Sequence, residues 1–194
     1  MNRSAVRGLV GAVGAVVLLG GVAVAHITPP VVLVSDRDAI VSLLAGARRF
    51  FVREVRLSPA ERQAIRQQTG WTPEDDFYRF YVGRDDHGRV VAATIFLTDF
   101  TIHGPVRVAV ALGPDGKVKG ATVVELTEET YAWVKPLLDE NFTRAYVGRD
   151  GRGSFTAPER RDSMGQFYAQ VIASLIQRAA VLFEVGVVKR GDAA

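Results

Sequence analysis

Two short stretches of the chain carry residues whose types and spacing suit ligand chemistry. The first is Ile102-His103-Gly104-Pro105, a histidine beside a glycine at the mouth of a predicted strand. A histidine so placed is ordinarily a hydrogen-bonded structural residue. The alternative is ligand contact, because glycine lets a ligand come close to the backbone. The second stretch is Arg160-Arg161-Asp162-Ser163-Met164-Gly165-Gln166, at the predicted start of the last helix. Backbone N–H groups at a helix N-terminus, a serine hydroxyl, a glycine and two arginines together make a cradle for a phosphate. The plainer reading is a capped helix with solvated arginines. Asp75-Asp76 and Asp85-Asp86 read as solvated turns and strand ends, and Glu128-Glu129 is a third acidic pair.

Much other chemistry is excluded. No hydrolase triad, P-loop or dinucleotide fingerprint is present, and the glycines at 8, 11 and 14 lie in an apolar segment. The chain has no cysteine, which rules out disulfides, iron–sulfur clusters, c-type haem attachment, thiolate zinc and a cysteine nucleophile. That the chain holds three histidines, His26, His87 and His103, argues against a multi-histidine metal or haem site. The net charge is +3, and Arg3 and Arg7 supply two of those charges. No basic face interleaved with aromatics follows, so the sequence argues against nucleic-acid binding. At 48% hydrophobic and 23% charged residues, the 194-residue chain has the makings of a globular core.

The elements that must position these residues follow from periodicity and turn chemistry. Arg3 and Arg7 precede an apolar run from Gly8 to Ile27, long enough for a transmembrane anchor of about 20 residues. Ala23-Val24-Ala25 also fits a signal-peptide cleavage site, so both readings stand. Either one exports everything after about residue 30. The predicted organisation is an anchor or signal over 1–30, a connecting helix within 31–56, an α+β domain over 57–186 and a tail over 187–194. Ile40, Leu43, Leu44, Ala47, Phe50 and Phe51 predict one helix over 36–55. Ser58-Pro59-Ala60-Glu61 is a capping box opening a helix that stops at Gly70. Strands are predicted over 77–82 and 89–97, and over 105–112 and 117–126, as two hairpins of an antiparallel sheet. Residues 127–142 read as helical or mixed, interrupted at Pro136. Thr156-Ala157-Pro158-Glu159 offers a capping box for a final amphipathic helix ending near Glu184. Helices packed on an antiparallel sheet make the class α+β.

Several pieces recur in a recognisable order. They are Leu57 to Arg62, Tyr78 to Gly83, His103 to Val118, Glu129-Thr130, Trp133, Phe142 and the closing helix. This order resembles the FMN-binding domain family, which includes the G and C subunits of Rnf and sodium-pumping NADH:quinone reductase complexes and stand-alone extracytoplasmic flavoproteins. The resemblance implies FMN as cofactor, with the isoalloxazine against Tyr131, Trp133 or Tyr168. It implies ring contacts from His103, Gly104, Glu129 and Thr130. It also implies a phosphate on the Ser163–Gly165 backbone beside Arg160 or Arg161.

The family's Ser-Gly-Ala-Thr motif, whose Thr esterifies the FMN phosphate, is altered here. Alignment on Ser163 puts Gln166 at the acceptor position, and alignment on Gly165 puts Phe167 there. Neither side chain forms a phosphoester, so the implied flavin is non-covalent. Tyr131-Ala132 replaces the glycines that follow the family's Glu-Thr pair. The implied function is electron transfer within a membrane redox complex, with other subunits as partners and no catalytic acid or base, because the cofactor carries the redox chemistry. The alternative is a flavin-free structural or docking subunit. A third reading is an unrelated exported ligand-binding domain.

Overall fold

From Val106 to Leu112 valine and leucine alternate with arginine and alanine, and this period of two sorts a strand's side chains onto opposite faces. The computed structural model, which describes residues 29–191, places this strand in the middle of a sheet. In chain order the elements are β1 (Pro30–Val32), α1 (Asp36–Leu43), β2 (Arg49–Val55), α2 (Pro59–Thr69), β3 (Tyr78–Arg84), β4 (Val90–Thr101), β5 (Gly104–Leu112), β6 (Val118–Thr127), α3 (Glu128–Asp139) and α4 (Ser163–Phe183). A 3₁₀ turn, Phe142–Tyr146, follows α3, and a π-helical turn, Glu184–Val188, continues α4. The class is α+β, with a single six-stranded antiparallel sheet ordered β1-β6-β5-β4-β3-β2.

The alternation in β5 decides what each face carries. Val106, Val108, Val110 and Leu112 join the main core with Ile172, Leu175, Ile176 and Ala179 of α4. Ala109 and Ala111 face the other way, where their small side chains admit Ala39 of α1 and Leu44 at its C-cap. The stretch Ser163–Val188 is long and apolar enough to cross a membrane, yet most of it is buried inside the protein as the central core helix. The expected anchor or signal falls on residues 1–28, outside the described residues, as does the end of the tail at 192–194.

Two local signals form as the sequence predicts. Ser58 Oγ accepts from the Glu61 N–H at 3.3 Å, while Glu61 Oε2 accepts from the Ser58 N–H at 2.7 Å, which completes the capping box. The Gly113–Gly116 turn closes with a 2.9 Å hydrogen bond from Gly116 N–H to Gly113 O.

Three expectations are corrected. The single helix over 36–55 is instead α1 followed by β2. The aromatic and β-branched run Phe50-Phe51-Val52 favours a pleated strand, and β2 pairs with β3 from Arg49↔Arg84 to Val55↔Tyr78. Segment 31–56 therefore supplies both edges of the sheet, since β1 pairs with β6, and the strands number six rather than four. Pro30 opens edge strand β1, where its missing N–H is tolerated. Thr156 caps no helix: Phe155 and Ala157 are buried, and α4 begins at Ser163 behind Asp162.

The last described residues are tied back to α2. Arg190 Nη2 donates to Glu61 Oε2 at 2.6 Å and to the Arg56 carbonyl at 2.7 Å. The Arg190 guanidinium, assisted by Ser58, holds the Glu61 carboxyl down at about 2 against a usual 4.5. A carboxyl lowered on folding contributes stability above its unfolded value, and the contribution vanishes as pH falls through the folded one. Glu61→Gln therefore lowers the thermal midpoint at neutral pH. The gap to wild type narrows from about pH 4.5 downward and closes near pH 2. A pH-independent gap in thermal melts would contradict this account.

Candidate functional site

The first turn of α3 grips the turn between β4 and β5. Thr127 is the N-cap of α3: its Oγ1 accepts from the Thr130 N–H at 3.3 Å and donates to the His103 carbonyl at 2.8 Å. Thr130 Oγ1 lies 2.7 Å from Thr127 Oγ1, and both threonines are buried. Glu128 and Glu129 occupy the first turn, where the helix dipole favours negative charge. From there Glu129 Oε1 lies 2.9 Å from His103 Nδ1. An ionised carboxylate only accepts, so Nδ1 carries the hydrogen of this bond. Gly104 has φ +103°, and a Cβ built on it would overlap Thr127 Cγ2. The neighbour that comes close to this glycine is a threonine methyl.

Aromatic rings join this clip to α4. His103 meets Trp133 edge-on at 4.9 Å between centroids, and Trp133 stacks on Tyr168 at 5.8 Å and 11°. The Tyr168 ring is fully buried, and its hydroxyl lies 3.3 Å from Thr101 Oγ1. Phe167 meets Tyr168 edge-on at 5.1 Å. The fold thus gathers His103, Gly104, Glu129, Thr130, Trp133 and Tyr168 into one neighbourhood, adjoining the start of α4.

The start of α4 is already occupied by the chain's own groups. The Asp162 carboxylate accepts from the Met164 N–H at 3.3 Å and the Gly165 N–H at 2.6 Å. A Cβ on Gly165 would stand 2.7 Å from Asp162 Oδ2, so the glycine makes room for that carboxylate. Gln166 Oε1 accepts from the Arg160 N–H at 2.7 Å, and the Arg160 guanidinium forks onto Glu140 at 3.0 and 2.8 Å. That fork holds the Glu140 carboxyl below its usual range and raises Arg160 further. Ser163 and Arg161 are exposed beside it.

The residues present do not fit an FMN phosphate at this turn. The N–H groups that would cradle it hold a carboxylate, a phosphate dianion would face that negative charge, and Arg160 is committed to Glu140. Trp133 and Tyr168 stack on one another, and the Tyr168 ring is fully buried.

The sequence reading gave no role to Asp162, Thr127, Thr101 or Glu140. Two of them carried a signal. Asp162 immediately precedes the helix as a preferred cap, and Thr127 precedes two glutamates. Asp162→Ala is expected to cost about 1 kcal/mol in chemical denaturation, as loss of an N-cap does. An unchanged midpoint would remove the cap from this account.

Among the described residues no group of three or more His, Asp or Glu side chains converges to hold a metal ion. No protein-family model matches the chain, and no curated protein matches it.

Proposed function

We propose that the chain is a flavin-free docking subunit of a membrane redox complex, held at the membrane through its N-terminal segment with the α+β domain on the extracytoplasmic side. The domain retains the layout of an FMN-binding module and acts by presenting surface; it is not a stand-alone catalyst. The observation that carries this reading is the Asp162 carboxylate on the Met164 and Gly165 N–H groups, where a bound FMN would place its phosphate. The clip formed by Thr127, Thr130 and Glu129 supports it. That clip steadies the β4–β5 turn, and the two most exposed large apolar residues described lie in that turn, Ile102 at 94%, and just before it at the end of β4, Phe100 at 80%. Apolar side chains so displayed suit a protein contact.

Cofactor content tests the reading. Protein purified from its native membrane should lack absorbance near ~450 nm, the region of oxidised flavin, and should release no FMN on denaturation. Stoichiometric FMN in the wild-type chain would overturn it and favour a non-covalent electron-transfer flavoprotein. Flavin retained through acid precipitation would further show a covalent link.

A further inference from the structure

We infer that the unpaired flank of β4 accepts an extended, basic segment of a partner protein as an added strand. The ladder between β4 and β5 runs from Ala93↔Leu112 to Thr101↔Gly104. The ladder between β3 and β4 ends at Tyr81↔Thr94. From Ile95 to Thr101, β4 therefore has a strand on one side only among the described residues. Backbone N–H and C=O groups along such a flank are a template for β-augmentation.

A groove of about 540 Å³ follows this flank, walled by Trp71, Glu74 and Asp75 on one side and Thr98, Asp99 and Phe100 on the other. A second cavity of about 300 Å³ shares Trp71, Asp75 and Thr98 and reaches Leu175 of α4. The outer wall is held in place: Arg62 donates to the Pro73 carbonyl and, at 2.7 Å, to the Asp75 carbonyl. A preformed wall lowers the ordering cost of binding.

Charge selects the occupant. Three carboxylates, Glu74, Asp75 and Asp99, line the groove against the single guanidinium of Arg178. Arg178 is committed to Asp99 at 2.9 Å and lies over the Trp71 ring at 5.4 Å. No ion pair engages Glu74 or Asp75 among the described residues. With Arg62 at the outer wall counted as a second cation beside Arg178, the three carboxylates still leave the groove an excess of negative charge, and the Trp71 and Phe100 rings give the stems of lysine or arginine an apolar bed. An extended segment with basic side chains on alternate positions meets both demands, main-chain pairing on β4 and cations against the outer wall.

This inference supplies the docking reading with a partner chemistry and rests on it. The test uses the full chain and fluorescence anisotropy of labelled short peptides. A peptide of alternating valine and arginine should bind. The alternating valine–glutamate peptide, and the valine–arginine peptide N-methylated at alternate amides, should each bind about tenfold more weakly or worse. Glu74→Lys combined with Asp75→Lys, both at exposed positions, should cost a similar factor with an unchanged thermal midpoint. Equal affinity for the N-methylated peptide would show charge attraction without strand pairing and overturn the proposal. So would indifference to the double substitution, or no binding at all. Failure in a flavin-free chain sinks this inference alone, whereas FMN in the purified chain sinks the docking reading whatever the peptides do.

Discussion

Gly104→Ala should lower stability by about 3 kcal/mol in chemical denaturation, with an unchanged denaturant slope. Two costs combine. The backbone at this position has φ +103°, which side chains with a Cβ rarely adopt, and the new methyl would overlap Thr127 Cγ2. Thr127 cannot retreat easily, because its hydroxyl caps α3 and bonds the His103 carbonyl. A second substitution separates the two costs. Thr127→Ser keeps the hydroxyl and deletes the methyl, so in the Gly104→Ala background it should return about half of the loss. A full return would mean that the backbone is unstrained, and no return would mean that the overlap is relieved elsewhere.

Tyr168→Ala should cost about 3–5 kcal/mol, since the ring is fully buried in the main core and stacks on Trp133. Tyr168→Phe keeps the ring and removes only the hydroxyl contact with Thr101, so its cost should be about 1 kcal/mol. The pair of variants also reports on the neighbourhood of His103. Loss of the stack leaves one face of Trp133 without its partner, and its fluorescence should shift to longer wavelength in Tyr168→Ala but not in Tyr168→Phe. Similar costs for the two variants would show that the hydroxyl, rather than the stack, anchors α4 to the turn.

The residues of the candidate site were legible singly, and their relationships were not. His103 stood out as a histidine beside a glycine, but its partner Glu129 lies 26 positions away, and only the folding of α3 onto the β4–β5 turn brings them to 2.9 Å. Gly165 was legible as part of a cradle for a negatively charged group. The approaching group is the Asp162 carboxylate three residues earlier, because the helix begins at Ser163 and its first N–H groups take the nearest acceptor. The misassigned helix over 36–55 has the same kind of cause. Ile40, Leu43, Leu44 and Ala47 carry a genuine helical period, and Phe50 and Phe51 continue it by coincidence. Pairing with β3 then draws those two rings into an edge strand.

By itself the sequence determined what depends on neighbours in the chain. The Ser58 capping box, the Gly113–Gly116 turn, the alternation that sorts β5 into a valine face and an alanine face, the α+β class and the absence of thiol chemistry all belong there. The first three are set by hydrogen bonds or side-chain directions within a few residues, the class by the order of the elements, and the last by composition. Only the tertiary structure decided how β2 and β1 close the two edges of the sheet, that Arg160 is spent on Glu140, and that β3 parts from β4 beyond Thr94 to leave a groove beside Trp71. These depend on which distant groups reach one another once the core is buried, and no local periodicity encodes that choice.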